Sequence, residues 1–231
     1  MQKKLVMTMT GEIFQPVRLY YHVPNVEKLR RKFAKLDCIQ FEDANGRWTW
    51  LFDDEAKSLK FKNSYTSIAK ERRPIVLGAF YVSQADNEIL LDVGSIERAL
   101  KAISFFDKHL GRAIAEPRYV AIYNKLFSDT DVHPGNNFTT LFADVKTEEI
   151  DAKIEAAAQR AFEAVKSRGV QSYFDMMRRT ELVEAFPTHY YSEGIKQLRT
   201  ALEMRQAVAI QHWQGATEFS FVDLVTQAAH K

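Results

Sequence analysis

The alternation of apolar and polar positions lays down strands first and helices afterwards. Residues 16–23, Pro-Val-Arg-Leu-Tyr-Tyr-His-Val, are rich in β-branched and aromatic side chains and predict a strand. Pro24-Asn25 ends it, and the Asn25 side chain is suited to cap a following helix. In that helix Val26, Leu29, Phe33 and Leu36 recur at helical spacing, while Lys28, Arg30, Arg31, Lys32 and Lys35 cover the other faces. Residues 38–42 alternate as a strand. Asn45-Gly46 then gives the strongest hairpin signal in the chain, because both residues tolerate positive φ, and residues 47–52 return as a strand. A second hairpin is predicted from residues 74–82 and 88–93. A helix over 95–110 follows, closed by Gly111. Residues 118–127 fit a strand or a helix equally, and 138–143 read as a short strand.

After Asp144 the period changes. Thr147-Glu-Glu starts a helix with acid in its first turn, and Ile150, Ile154, Ala157, Ala161 and Val165 form a narrow seam up to Gly169. A second helix is expected within 171–186, stopped before Pro187, a third over 192–213 and a fourth over 217–229. The fold class is therefore read as α+β: a mainly antiparallel sheet with flanking helices in residues 1–145, followed by a helical C-terminal segment, residues 146–231, packed on it as a subdomain. The hairpins argue against a doubly wound parallel sheet.

Composition narrows this picture without redirecting it. A chain of 231 residues, 46% hydrophobic and 27% charged, can bury a core without metal or disulfide staples. Cys38 is the single cysteine, so no internal disulfide framework or multi-cysteine metal site is available, and its apolar neighbours suggest an inert thiol. The basic start of the chain leads into only three apolar residues, too few for a secretory signal, and no apolar run approaches membrane-spanning length. A soluble, cytoplasmic protein with no membrane partner is expected. Net charge is +2, unevenly spread: residues 1–75 carry 15 Lys/Arg against 9 Asp/Glu. That polarity suits an acidic partner, whether nucleic acid or the acidic half of a second subunit.

Spacing excludes several chemistries. The nine glycines are never closer than 16 residues apart, whereas phosphate-cradling loops need several within about eight positions. The Gly-x-Ser-x-Gly nucleophile elbow is likewise missing. The six histidines show no metal-ligand spacing, and no cofactor is expected.

Four weaker signals remain. Arg30, Arg31, Lys35, Arg72 and Arg73 interleave with aromatics, and Trp48 and Trp50, two apart on a strand, share a face. Cations beside stacking rings are how single strands of nucleic acid are held, although paired aromatics more often fill a core. Asp129-Thr-Asp131-Val-His133 could hold a divalent cation, yet the adjoining Pro134-Gly-Asn-Asn137 suggests a loop of Asx turns. Asp43 with Glu55-Ala-Lys57 offers the acidic-x-Lys arrangement of metal-dependent nucleases, but in a polar run rather than on an apolar strand. Phe219, Phe221, Val222, Leu224 and Val225 form an apolar cluster near the C-terminus, suited to the chain's own core or to a partner.

The leading expectation is a non-catalytic binding or accessory protein acting through contacts with a protein partner or by self-association. The alternatives are a nucleic-acid binder using residues 17–73 and a metal-dependent hydrolase or transferase built on the carboxylates above.

Overall fold

The computed structural model describes residues 4–131, 137–178, 181–188 and 195–229. Among these, seven strands form one sheet: β1 (Val17–His22), β2 (Ile39–Glu42), β3 (Arg47–Leu51), β4 (Val76–Val82), β5 (Glu88–Val93), β6 (Glu116–Tyr123) and β7 (Val183–Pro187). Their order is β2-β3-β4-β5-β1-β6-β7, with every neighbouring pair antiparallel. The helices are α1 (Val26–Phe33), α2 (Ile96–His109), α3 (Phe138–Leu141), α4 (Thr147–Arg168), α5 (Val170–Met177), α6 (Ile195–Trp213) and α7 (Phe221–Ala229). The molecule is α+β with a helical C-terminal segment.

Local chemistry explains the boundaries. Asn25 Oδ1 accepts the Lys28 amide at 2.9 Å and starts α1, and Ser95 Oγ accepts the Arg98 amide at 3.1 Å and starts α2. Gly46, at φ 59°, turns β2 into β3.

One face of the sheet carries the main core. Leu19 and Tyr21 of β1, Leu91 of β5 and Trp48 and Trp50 of β3 meet Phe33 of α1 and Phe106 of α2. Leu198 and Leu202 of α6 extend that core beyond α2. On the opposite face Tyr20 and Ala121 lie under Phe142, just past α3. There the buried Arg18 donates to both Asp92 oxygens, at 2.6 and 2.9 Å, and lies 5.2 Å from the Phe142 ring. Buried Arg98 ties the amino-terminal segment down, donating to Thr10 Oγ1 at 2.8 Å and to the Val76 and Leu77 carbonyls at 3.0 and 3.2 Å.

Two expected elements are corrected. Of the stretch 171–186, within which one helix was expected, the first part is helix α5, but residues 183–187 form β7 and pair with β6, so the C-terminal half contributes a strand to the sheet. Pro187 fits because it ends an edge strand, where a missing N–H costs no ladder bond. Residues 138–141, expected as a strand, form α3, because Asn137 Oδ1 accepts the Thr140 amide at 2.8 Å and caps a helical turn. The undecided stretch around 118–127 resolves as strand β6 through Tyr123. No described helix is long and apolar enough to cross a membrane.

Candidate functional site

β7 is where the sheet, α4, α5 and α6 meet, and its backbone is used on one side. Asn124 donates its amide to the Leu182 carbonyl at 2.8 Å, and Tyr123 donates its own to Pro16 on the far side of β6. Antiparallel alternation therefore turns the Glu184 and Phe186 backbones toward β6, and the Val183 and Ala185 backbones away from it.

The side chains alternate as well. Glu184 and Phe186 face α6, where Arg205 donates to Glu184 Oε2 from Nε at 2.8 Å and from Nη2 at 2.6 Å. The same guanidinium lies 4.5 Å from the Phe186 ring centroid. Glu184 Oε1 accepts from Asn124 Nδ2 at 2.6 Å. This network fixes the strand end, and two clefts open on either side of it.

The first cleft, about 600 Å³, lies between α5, α6 and α7. Met176 and Met177 of α5, Met204 and Val208 of α6 and Phe221 of α7 line it, so three of the chain's six methionines sit here. The second, about 770 Å³, runs between β7 and α4, where the apolar Val145, Ile150, Ile154 and Val183 alternate with the charged Lys146, Lys153, Arg160 and Glu181. Met177, Glu184 and Arg205 border both clefts. Both volumes lie within the range of about 300–1,000 Å³ typical of ligand sites. Elsewhere on these elements Val170, Tyr173 and Phe174 of α5, Leu182 before β7 and Phe162 of α4 (63% exposed) hold apolar surface in water.

The residues expected to hold nucleic acid do not share one surface role. Trp48 and Trp50 do face the same way, but inward: Trp50 packs on Phe105 and Phe106, Trp48 on Phe33, and both are buried. Arg30 lies 5.8 Å from the Trp48 ring and 3.4 Å from Glu27. Arg31, Lys35 and Arg72 are exposed. Arg73 turns inward, donating to the Tyr65 and Ile68 carbonyls at 2.7 Å each.

The carboxylates are committed locally. Asp131 Oδ2 accepts from the Ser128 amide at 3.1 Å and from Ser128 Oγ at 2.5 Å, a turn-closing arrangement, while the Asp129 amide bonds Lys4. His133 lies outside the described residues. Glu55 accepts the Asp37 and Cys38 amides, and Lys57 pairs with Asp53 at 2.5 Å. Among the described residues no three His, Cys, Asp or Glu side chains converge as a metal-binding group. Burial pushes the Cys38 thiol well above its ordinary range, which keeps it protonated.

Neither the methionine cleft nor the β7 edge was foreseen from the sequence. The one local hint was Met176-Met177 beside Tyr173 and Phe174, too many apolar residues for a solvated turn. Compared with protein-family models, curated proteins and solved structures, the chain matches none.

Proposed function

We propose that this protein is a non-catalytic binding protein that recognises a protein partner through the α5–α6–α7 cleft. The observation that carries the reading is the methionine lining, Met176, Met177 and Met204 around Val208 and Phe221. Thioether side chains are unbranched and polarisable, so a wall built of them reshapes around apolar partner side chains at little cost. The exposed Tyr173 and Phe174, one turn before Met176 and Met177 on α5, supply further apolar contact area. By contrast, the acidic groups with most capacity for chemistry are held in turns and ion pairs.

The test is site-specific photo-crosslinking in cells producing the protein, with a photoreactive residue in place of Met204 and, as control, of the exposed Gln40 on β2. The expected result is a discrete protein adduct from position 204, absent from position 40 and lost on adding Val208→Asp. Identical adducts from both positions, or none from 204, would refute the reading.

A further inference from the structure

We propose that Met176, Met177 and Met204 form an oxidation site, at which a hydroperoxide converts the thioethers to sulfoxides and so closes the cleft to apolar partners. This rests on the protein-binding reading above and names how that same site is regulated.

Reach comes first. All three side chains are partly exposed, and the cleft they line opens to water, so a molecule as small as hydrogen peroxide has access to the sulfurs. The other described sulfurs are placed differently. Cys38 is buried, while Met7 and Met9 lie in the amino-terminal segment, 47% and 40% exposed. The cleft is where accessible thioether meets an apolar binding wall.

The step needs only the peroxide. The sulfur lone pair takes the outer oxygen of R–O–OH, an S–O bond forms and the O–O bond breaks. The hydroxyl proton passes to the departing oxygen, which leaves as R–OH. Sulfur is oxidised by two electrons and the peroxide is reduced by two.

The lining decides the consequence. The new oxygen is a strong acceptor set against Ala201, Val208 and Phe221. The Arg205 guanidinium bordering the cleft is already committed to Glu184 and to the Ala201 carbonyl. A sulfoxide held against that lining forfeits its hydration, and one turned out to water no longer offers its thioether to a partner. Either outcome weakens apolar contact. Met7 and Met9 already stand in water, so the same oxygen changes little there. Leucine builds a wall of similar volume and polarity without this chemistry, which makes it the diagnostic substitution.

The experiment treats the purified full chain with hydrogen peroxide and counts sulfoxides at each methionine by peptide mass spectrometry. The neutral apolar dye Nile red is then titrated, and Met204→Lys marks which part of its signal belongs to the cleft. Wild type is compared with the triple variant Met176→Leu, Met177→Leu, Met204→Leu before treatment, after it, and after repair by reductases for both sulfoxide epimers. The expected result is a loss of about tenfold or more in cleft affinity on oxidation, restored by repair. The leucine variant should show no loss, although Met7 and Met9 oxidise in it too. If that variant does not fold, reversal by repair decides alone. Unchanged affinity with all three cleft sulfurs oxidised overturns the proposal and leaves the protein-binding reading intact. So does an equal loss in the leucine variant, or cleft thioethers that survive a dose converting Met7 and Met9. Untreated protein whose dye signal ignores Met204→Lys contradicts the binding reading itself, and this inference with it.

Discussion

Arg205 grips Glu184 from two nitrogens, at 2.8 and 2.6 Å, and so joins α6 to the sheet's last strand at the point where both clefts meet. The pair is partly buried, with about a quarter of each side chain in contact with water. Its fork geometry, its stacking on Phe186 and the Asn124 bond to the other Glu184 oxygen make it more than an exposed surface bridge. Lysine cannot reproduce the two-nitrogen contact. Arg205→Lys should therefore lower stability by about 1 kcal/mol, and Arg205→Ala by more, read as the urea midpoint at constant slope.

A second ion pair lies wholly inside. Removing one partner of Arg18–Asp92 strands a charge beneath Phe142. Asp92→Ala should cost about 3–5 kcal/mol, whereas the double change Arg18→Met with Asp92→Leu should recover most of that loss. Urea unfolding of the three variants decides this. Equal destabilisation by the single and double variants would show that the charges themselves do not matter.

Acid should loosen the β2–β3 hairpin. Hydrogen bonds from Arg47, Thr49 and Asn45 depress the Glu42 carboxyl from near 4.5 to about 2. A carboxylate depressed in the folded state contributes stability above its unfolded value and loses it as pH falls toward the folded one. The contribution should therefore fade between pH 4.5 and about 2. Glu42→Gln should flatten that part of the stability–pH curve and leave the curve above pH 5, roughly, parallel to wild type. An unchanged acid limb would contradict this assignment.

Close approach of two strands makes one glycine irreplaceable. A methyl group at Gly78 would sit 2.6 Å from the Asp92 carbonyl oxygen and 2.8 Å from Val93 Cγ1. The first neighbour is backbone and cannot step aside. Gly78→Ala should destabilise by about 1–3 kcal/mol by forcing β4 from β5. Gly46→Asn, at an open left-handed turn, should be nearly neutral by the same measurement.

How much of this was legible depended on whether the cause was local. The Asn45-Gly46 turn, the Asn25 cap and the two hairpins are written in neighbouring residues, and the structure forms them. The shared face of Trp48 and Trp50 was legible too, and a core was the commoner use for such a pair; that α1 and α2 pack on that face depends on distant contacts and decides it. Strand β7 was hidden because Val183-Glu-Ala-Phe-Pro187 becomes a strand only by pairing with β6, sixty residues earlier. The clefts were hidden for the same reason. Met177, Glu184 and Arg205 converge through tertiary contacts, and no short motif records them.

The methionines themselves report on the central claim. With the methyl groups labelled with ¹³C, the purified protein gives separate reporters for Met176, Met177 and Met204 in the cleft, and for the exposed Met7 and Met9 as internal controls. On addition of the partner captured at position 204, the three cleft resonances should shift together while those of Met7 and Met9 stay in place. Shifts confined to Met7 and Met9, or a spectrum that does not change at saturating partner, would contradict the account.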